Sequence, residues 1–394
     1  MNILYIGNWA LDDGLTQSTI LPHLKILANN RNIEKVVFVT IERTWKNPEI
    51  ELDIPKVIHI PVLSIKSLPN IINRVTDFLK IPSKLKKLCK THDINHIICR
   101  GAPAGNYGFI LHKSLKIPFD VESFEPHAMY MLEGEVWSSF DPRFIVQKYY
   151  EKKQKHFARF LITVSHNYKK QLEKEGINPD RIHVLPCTVP VDSFKFSPTK
   201  REIMRRRLNV STDGVIGIYV GKFGDIYYED ESFKLFAEAF NYWNGKFFLI
   251  ILSPDSYKYI VNKLKCFSID LSQVHIERVN YDEVSNWLSA ADFGYTPVKP
   301  TPNRLFCSPI KDGEYWSNGL PVIIPHGIGD DSEIIQKNNI GAVINITNDQ
   351  SIKYGYQKID SLITETDVRD RVAKCADFYR NQKLDQIIYD EIYG

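Results

Sequence analysis

Short apolar runs recur along this chain, each followed by a turn and a stretch of helical patterning, and that alternation leaves few folds open. In the first half, strands are predicted at Asn2–Ile6, Lys35–Thr40, Val57–Pro61, Ile94–Cys99, Pro118–Val121, Phe160–Val164 and Ile182–Leu185. In the second half they are predicted at Val215–Val220, Phe247–Ile251, Val274–Glu277, Phe293–Thr296 and Leu320–Ile324. Apolar strands alternating with helices belong to parallel sheets covered on both faces, which bind ligands at the strand C-ends. The fold class is therefore α/β, and 394 residues suffice for two such domains. The closely spaced prolines of Pro186–Pro198 mark a linker. The domains are expected at 1–190 and 198–379, with a final helix at about 380–394.

Composition narrows the function. At 43% hydrophobic and 25% charged residues the chain is globular, and no apolar run approaches the ~18–20 residues of a membrane-crossing helix. The start, MNILYIGNWALDD, lacks a basic segment before its apolar run and does not resemble a signal peptide. The six cysteines are scattered, without C-x-x-C or zinc spacing, which suits a reducing cytoplasm and predicts no metal site. The loop after Gly7 lacks G-x-G-x-x-G spacing, which argues against a dinucleotide cofactor. The first 200 residues carry an excess of Lys and Arg, and the remainder an excess of Asp and Glu. A basic half suits an anionic partner or surface without choosing between them. Leu68–Lys90 concentrates that charge: Lys80, Lys84, Lys86, Lys87 and Lys90 flank an apolar stripe, and Pro82 is expected to break the segment into two helices. It reads either as a core-packed pair with a solvated basic face or as a peripheral contact with an anionic membrane, on the inner face of the plasma membrane.

One stretch carries chemistry. In Ser308–Pro325, SPIKDGEYWSNGLPVIIP, Ser308 suits an N-cap and Pro309 the first helical position. A helix is expected over Lys311–Asn318, with Gly319 as its left-handed C′ residue before a buried strand. The free amides of Ile310 and Lys311 suit a phosphate, and Glu314 stands where a carboxylate could accept from a ribose diol. Gly221-Lys222-Phe223-Gly224, at a strand end, makes a tight loop with one cation that suits a diphosphate. Asp120–Trp137 gathers Glu122, Glu125 and His127 at another strand end.

These motifs resemble those of retaining GT-B glycosyltransferases of the family 4 type, chiefly through S-P-x-K-x-x-E-Y-x-x-x-G-x-P-V-I at Ser308–Ile324. The resemblance implies two Rossmann-like domains facing across a cleft, with the last helix, Leu384–Tyr393, crossing back to the first domain. It implies Glu314 on the donor ribose, and Ser308, Pro309, Ile310, Lys311, Gly221, Lys222 and Arg304 around the donor diphosphate. It places His127, with Glu122 and Lys222, in catalysis, and Gly14, Thr16, Gln17, Glu125 and His127 on the acceptor side. The implied reaction needs no cofactor or metal. It transfers a sugar, with retention, from a UDP- or GDP-linked donor to a glycan or lipid-linked acceptor in surface polysaccharide synthesis, with no nucleic acid involved. Three positions depart from the family pattern: Phe306 where a Glu is frequent, Tyr227-Tyr228 where a second Lys is usual, and Cys187-Thr188 where Asn-Gly is usual. The first two departures keep open a non-catalytic GT-B partner of an active transferase; an epimerase or hydrolase on the same fold is the other alternative.

Overall fold

The computed structural model describes residues 1–42, 52–64 and 70–394, with the side chains of 70–79 excepted. The chain divides into two compact units, Met1–Pro186 with Lys383–Gly394, and Cys187–Gln382.

The first unit is built on β1 (Asn2–Ile6), β2 (Lys35–Glu42), β3 (Val57–Leu63), β4 (His96–Arg100), β5 (Phe119–Phe124), β6 (Leu161–Thr163) and β7 (Ile182–Val184). They form one sheet in the order β3-β2-β1-β4-β5-β6-β7, with every pairing parallel. β1 and β4 are wholly buried from Ile3 and His96 onward, as strands covered on both faces must be. The final helix, Lys383–Tyr393, belongs to this unit. Its Tyr389 hydroxyl donates to Glu122, and its Tyr393 hydroxyl donates to Asp120 Oδ2 at 3.1 Å.

The second unit carries β8 (Val215–Val220), β9 (Phe247–Leu252), β10 (Val274–Glu277), β11 (Phe293–Tyr295), β12 (Val322–Pro325) and β13 (Gly341–Ile344). Their order is β10-β9-β8-β11-β12-β13, again parallel throughout. The order reverses between β8 and β11, and such a switch point opens a crevice at the strand C-ends. Two glycines let aromatic rings pack against this sheet. A Cβ at Gly294 would stand 2.7 Å from Tyr315, and one at Gly217 would stand 2.8 Å from both Phe247 and Tyr295.

Several expectations need correction. Pro82 does not divide its segment: one helix runs over Asn70–Thr91. Proline removes one hydrogen bond, and burial of Ile81, Leu85 and Cys89 holds the turns on either side. The apolar stripe is thus packed over 80–91, while Lys80, Lys84, Lys87 and Lys90 are exposed. Leu68 and the apolar side chains of 70–79 in that stripe lie outside the described residues. The strand β13 was not foreseen, because four residues between Asn339 and Asn345 are too few to show a period. Among the described residues, no helix is long and apolar enough to cross a membrane.

Candidate functional site

The helix Ile310–Ser317 brings the largest set of predicted residues together. Its N-cap is Pro309, not Ser308. The Ser308 hydroxyl instead accepts from the Cys187 amide at 3.0 Å and from the Arg380 guanidinium. That correction has a physical cause. Arg380 is buried with its other nitrogen on Asp331, and a fixed guanidinium outcompetes a local cap for the serine oxygen. Ser308 therefore fixes the helix start from behind. Among the described residues, no protein group accepts from the amide of Ile310 or Lys311. Gly319, at φ 74°, ends the helix as expected.

Lys311 is the central side chain. It is 5% exposed, and its Nζ has no hydrogen-bond partner among the described residues. The ammonium lies 3.9 Å from the centre of the Tyr227 ring and 4.8 Å from that of Tyr219, held by cation–π attraction. Gly221, at the end of β8, makes that position accessible, since a Cβ there would stand 2.8 Å from Nζ. Burial pulls the Lys311 pKa down to about 8. One turn on, Glu314 is 6% exposed, with the Tyr281 hydroxyl close enough to act on its carboxyl. Burial pushes its carboxyl up to about 7, against the opposing pull of Tyr281 and Lys311.

Behind the helix, Asp312 and Asp331 are buried close enough to shift each other's pKa, and Thr296 donates to Asp312. Burial and the neighbouring Asp331 raise the Asp312 pKa well above the usual range. The pair and Arg380 form a strut under the helix tip.

Lys222 stands apart. Its side chain is 50% exposed and ion-paired with Asp225. Arg304 is buried, in the turn that precedes Cys307, and its charge acts on Tyr227. Tyr227 fills the region where a second lysine was expected, and serves as the platform for Lys311.

In the first unit, His127 opens the helix His127–Glu133, its amide donating to the Glu125 carbonyl at 2.8 Å. Its ring meets the Trp137 ring edge-on, centroids 5.6 Å apart, and burial pulls its pKa down to about 4. The imidazole is therefore neutral at pH 7. Glu122 does not join it. That carboxylate is buried and takes hydrogen bonds from Tyr5 at 2.6 Å and from Tyr389, with His23 and Arg100 each at 3.5 Å. Burial would raise its pKa, but those partners outweigh burial and lower it. Its position is that of an internal strut for the last helix rather than of a group open to substrate. Past β1, Gly14 and Gln17 are exposed, and Gln17 donates to the Leu11 carbonyl at 2.6 Å. Thr16 is buried, its hydroxyl without a partner among the described residues, at the head of a π-helical turn over Thr16–Ile20.

Tyr281, Tyr219 and the Asp312–Asp331–Arg380 strut were missed. Only Tyr227 had a local signal, as an aromatic where the resemblance called for a lysine. Tyr281 reaches Glu314 from far along the chain, and nothing near either residue announces the pair.

No family model matches the chain, and no curated protein matches it. Solved structures do. Sucrose-phosphate synthase from Thermosynechococcus elongatus superposes with a TM-score of 0.80 at 14% identity, over 100% of this chain and 98% of that one. HepE from Anabaena in complex with UDP gives a TM-score of 0.71 at 15% identity, over 100% and 99%. UDP-GlcNAc 2-epimerase from Neisseria meningitidis, bound to UDP-GlcNAc, gives 0.63 at 12%, over 100% and 99%. The two parallel sheets, the final helix that completes the first unit and these likenesses together establish the fold as GT-B, built of two Rossmann-like units.

Proposed function

We propose that the protein transfers a sugar from a UDP- or GDP-linked donor to a glycan or lipid-linked acceptor, with retention and without a metal. One observation carries this reading: among the described residues, the buried Lys311 ammonium has no hydrogen-bond partner and the two amides at the tip of its helix are free, one turn from Glu314. Cation and amides suit the oxygens of a diphosphate, and Glu314 suits the ribose diol. When the bond from the anomeric carbon to the diphosphate breaks, its electron pair goes to the departing oxygen. Lys311 and the helix dipole stabilise that charge. The acceptor oxygen bonds the same face of the carbon, and its proton passes to the departing phosphate. His127, neutral at neutral pH, is assigned to contact with the sugar or acceptor. Polysaccharide synthesis and a cytoplasmic site are the corresponding place of action.

The likeness to an epimerase favours a second reading, sugar isomerisation or donor hydrolysis at the same site. Phe306 and the tyrosines at 227 and 228 favour a third, a non-catalytic partner that binds nucleotide. Nucleoside diphosphate release, followed with and without an acceptor extract, separates them. Release that depends on acceptor supports transfer. Release or isomerisation without acceptor supports the second reading, and nucleotide binding without turnover the third. If neither UDP nor GDP raises the melting temperature, the donor assignment is wrong.

A further inference from the structure

The helix Pro142–Phe157 is turned inside out. Its inward side carries Gln147, Glu151 and Gln154 beside a single apolar residue, Phe144, all buried. Its outward side carries Ile145 and Tyr149, 56% and 54% exposed. At about 100° per residue, Ile145, Tyr149 and Lys152 lie along one line opposite the buried glutamines. An ordinary surface helix has the reverse pattern.

The inward polar side is hydrogen-bonded, except that Gln154 Oε1 has no partner among the described residues. Asn106 donates to Gln147 at 2.8 Å, Gln147 to Glu151 at 3.0 Å, and Gln154 to Asn106 at 2.8 Å and to the Ala102 carbonyl at 2.9 Å. The Ala128 amide donates to Glu151 at 2.9 Å. Gly105 makes room for this, since a Cβ there would stand 2.3 Å from Gln154. The network fixes the rotation of the helix, so the apolar side cannot turn inward without stranding buried amides.

We propose that this outward face seats the protein on an anionic lipid bilayer. Phe140, in the turn before the helix, is 87% exposed and extends the apolar surface. Lys148 and Lys152 are exposed beside the apolar side chains, and Lys153 lies over the Tyr149 ring at 5.1 Å. The only carboxylate within the helix, Glu151, points inward; Asp141 at its start is paired with Arg143, and Glu133 and Glu135 lie before Phe140. Apolar side chains among lysines suit the boundary of headgroups and acyl chains, where both find a partner. A two-fold contact with a second copy would gather the lysines of both copies in one interface. The helix Asn70–Thr91 differs in that Ile81, Leu85 and Cys89 are buried beneath its exposed lysines. The inference stands on this face alone and does not depend on glycosyl transfer.

The test is cosedimentation of the full-length protein with vesicles of phosphatidylcholine, alone or mixed with phosphatidylglycerol, at low and high salt. Binding should require the anionic lipid and weaken with salt. Ile145→Ser with Tyr149→Ser, and separately Lys152→Glu with Lys153→Glu, should each weaken binding at least about tenfold, with melting temperature and nucleotide affinity unchanged. Lys84→Glu with Lys87→Glu should weaken it less. Equal binding to neutral vesicles, no binding at low salt, or loss confined to the Lys84/Lys87 pair would overturn the proposal. A dimer in sedimentation that Ile145→Ser with Tyr149→Ser dissolves, without vesicle binding, would assign the face to a second copy.

Discussion

At the scale of residues, Lys311 and Glu314 lie one turn apart and burial moves their pKa values towards each other, to about 8 and about 7. A diphosphate selects protonated Lys311, so affinity should fall as pH rises above about 8, by up to tenfold per unit. A ribose diol selects ionised Glu314, so affinity should also fall below about 7. Titration calorimetry with UDP or GDP should therefore show a maximum between those values. Lys311→Met should remove the alkaline limb and Glu314→Gln the acidic one; limbs that persist in both variants would reject the assignment. Glu314 also has a stability consequence. Its folded pKa lies above its unfolded value, so the folded state holds the proton, and the cost of ionisation grows as pH rises from about 4 to about 7. Glu314→Gln should raise stability by about 3 kcal/mol at pH 8 and leave it unchanged below pH 4. His127→Ala should cut turnover about a hundredfold while nucleotide affinity stays within about threefold. Equal losses of both would move His127 into donor binding.

Among the elements, two helices show how far pattern and placement can part. Over 80–91 the basic helix behaves as its pattern predicts, with its apolar side chains packed, because burying them removes apolar area from water at little polar cost. In Pro142–Phe157 that order is reversed, because Asn106, Ala102 and Ala128 supply partners for its glutamines. The final helix is held by tyrosines rather than by a plain apolar stripe. Tyr389→Phe leaves Glu122 short of a donor and should lower stability by about 1–3 kcal/mol, read as the midpoint of urea unfolding. A change below about 0.3 kcal/mol would show that Tyr5, His23 and Arg100 satisfy Glu122 without it.

For the molecule as a whole, the two units give nucleotide binding an address. A nucleoside diphosphate alone should slow amide exchange within Cys187–Gln382, chiefly after β8 and at the start of the helix Ile310–Ser317. Protection confined to Met1–Pro186 would place the nucleotide in the other unit. Removing 383–394 should destabilise the first unit selectively, since Tyr389 and Tyr393 reach into its interior at Glu122 and Asp120.

The sequence alone determined the alternation of strand and helix, and with it a parallel sheet in each half. Each rests on local periods and on end signals such as Gly319 that act within a few residues. It also singled out Lys311 and Glu314 as candidates, because a helix start with free amides and a carboxylate one turn on are local features. Only tertiary structure decided what those groups touch. The Lys311 cation rests on Tyr219 and Tyr227, and Tyr281 acts on the Glu314 carboxyl. Ser308 serves Arg380 instead of its own helix, and Glu122 is spent on Tyr389, 267 residues away. Partners so distant leave no period in the sequence. Burial, which moves the pKa of Lys311 and Glu314, exists only once the sheet has closed around them.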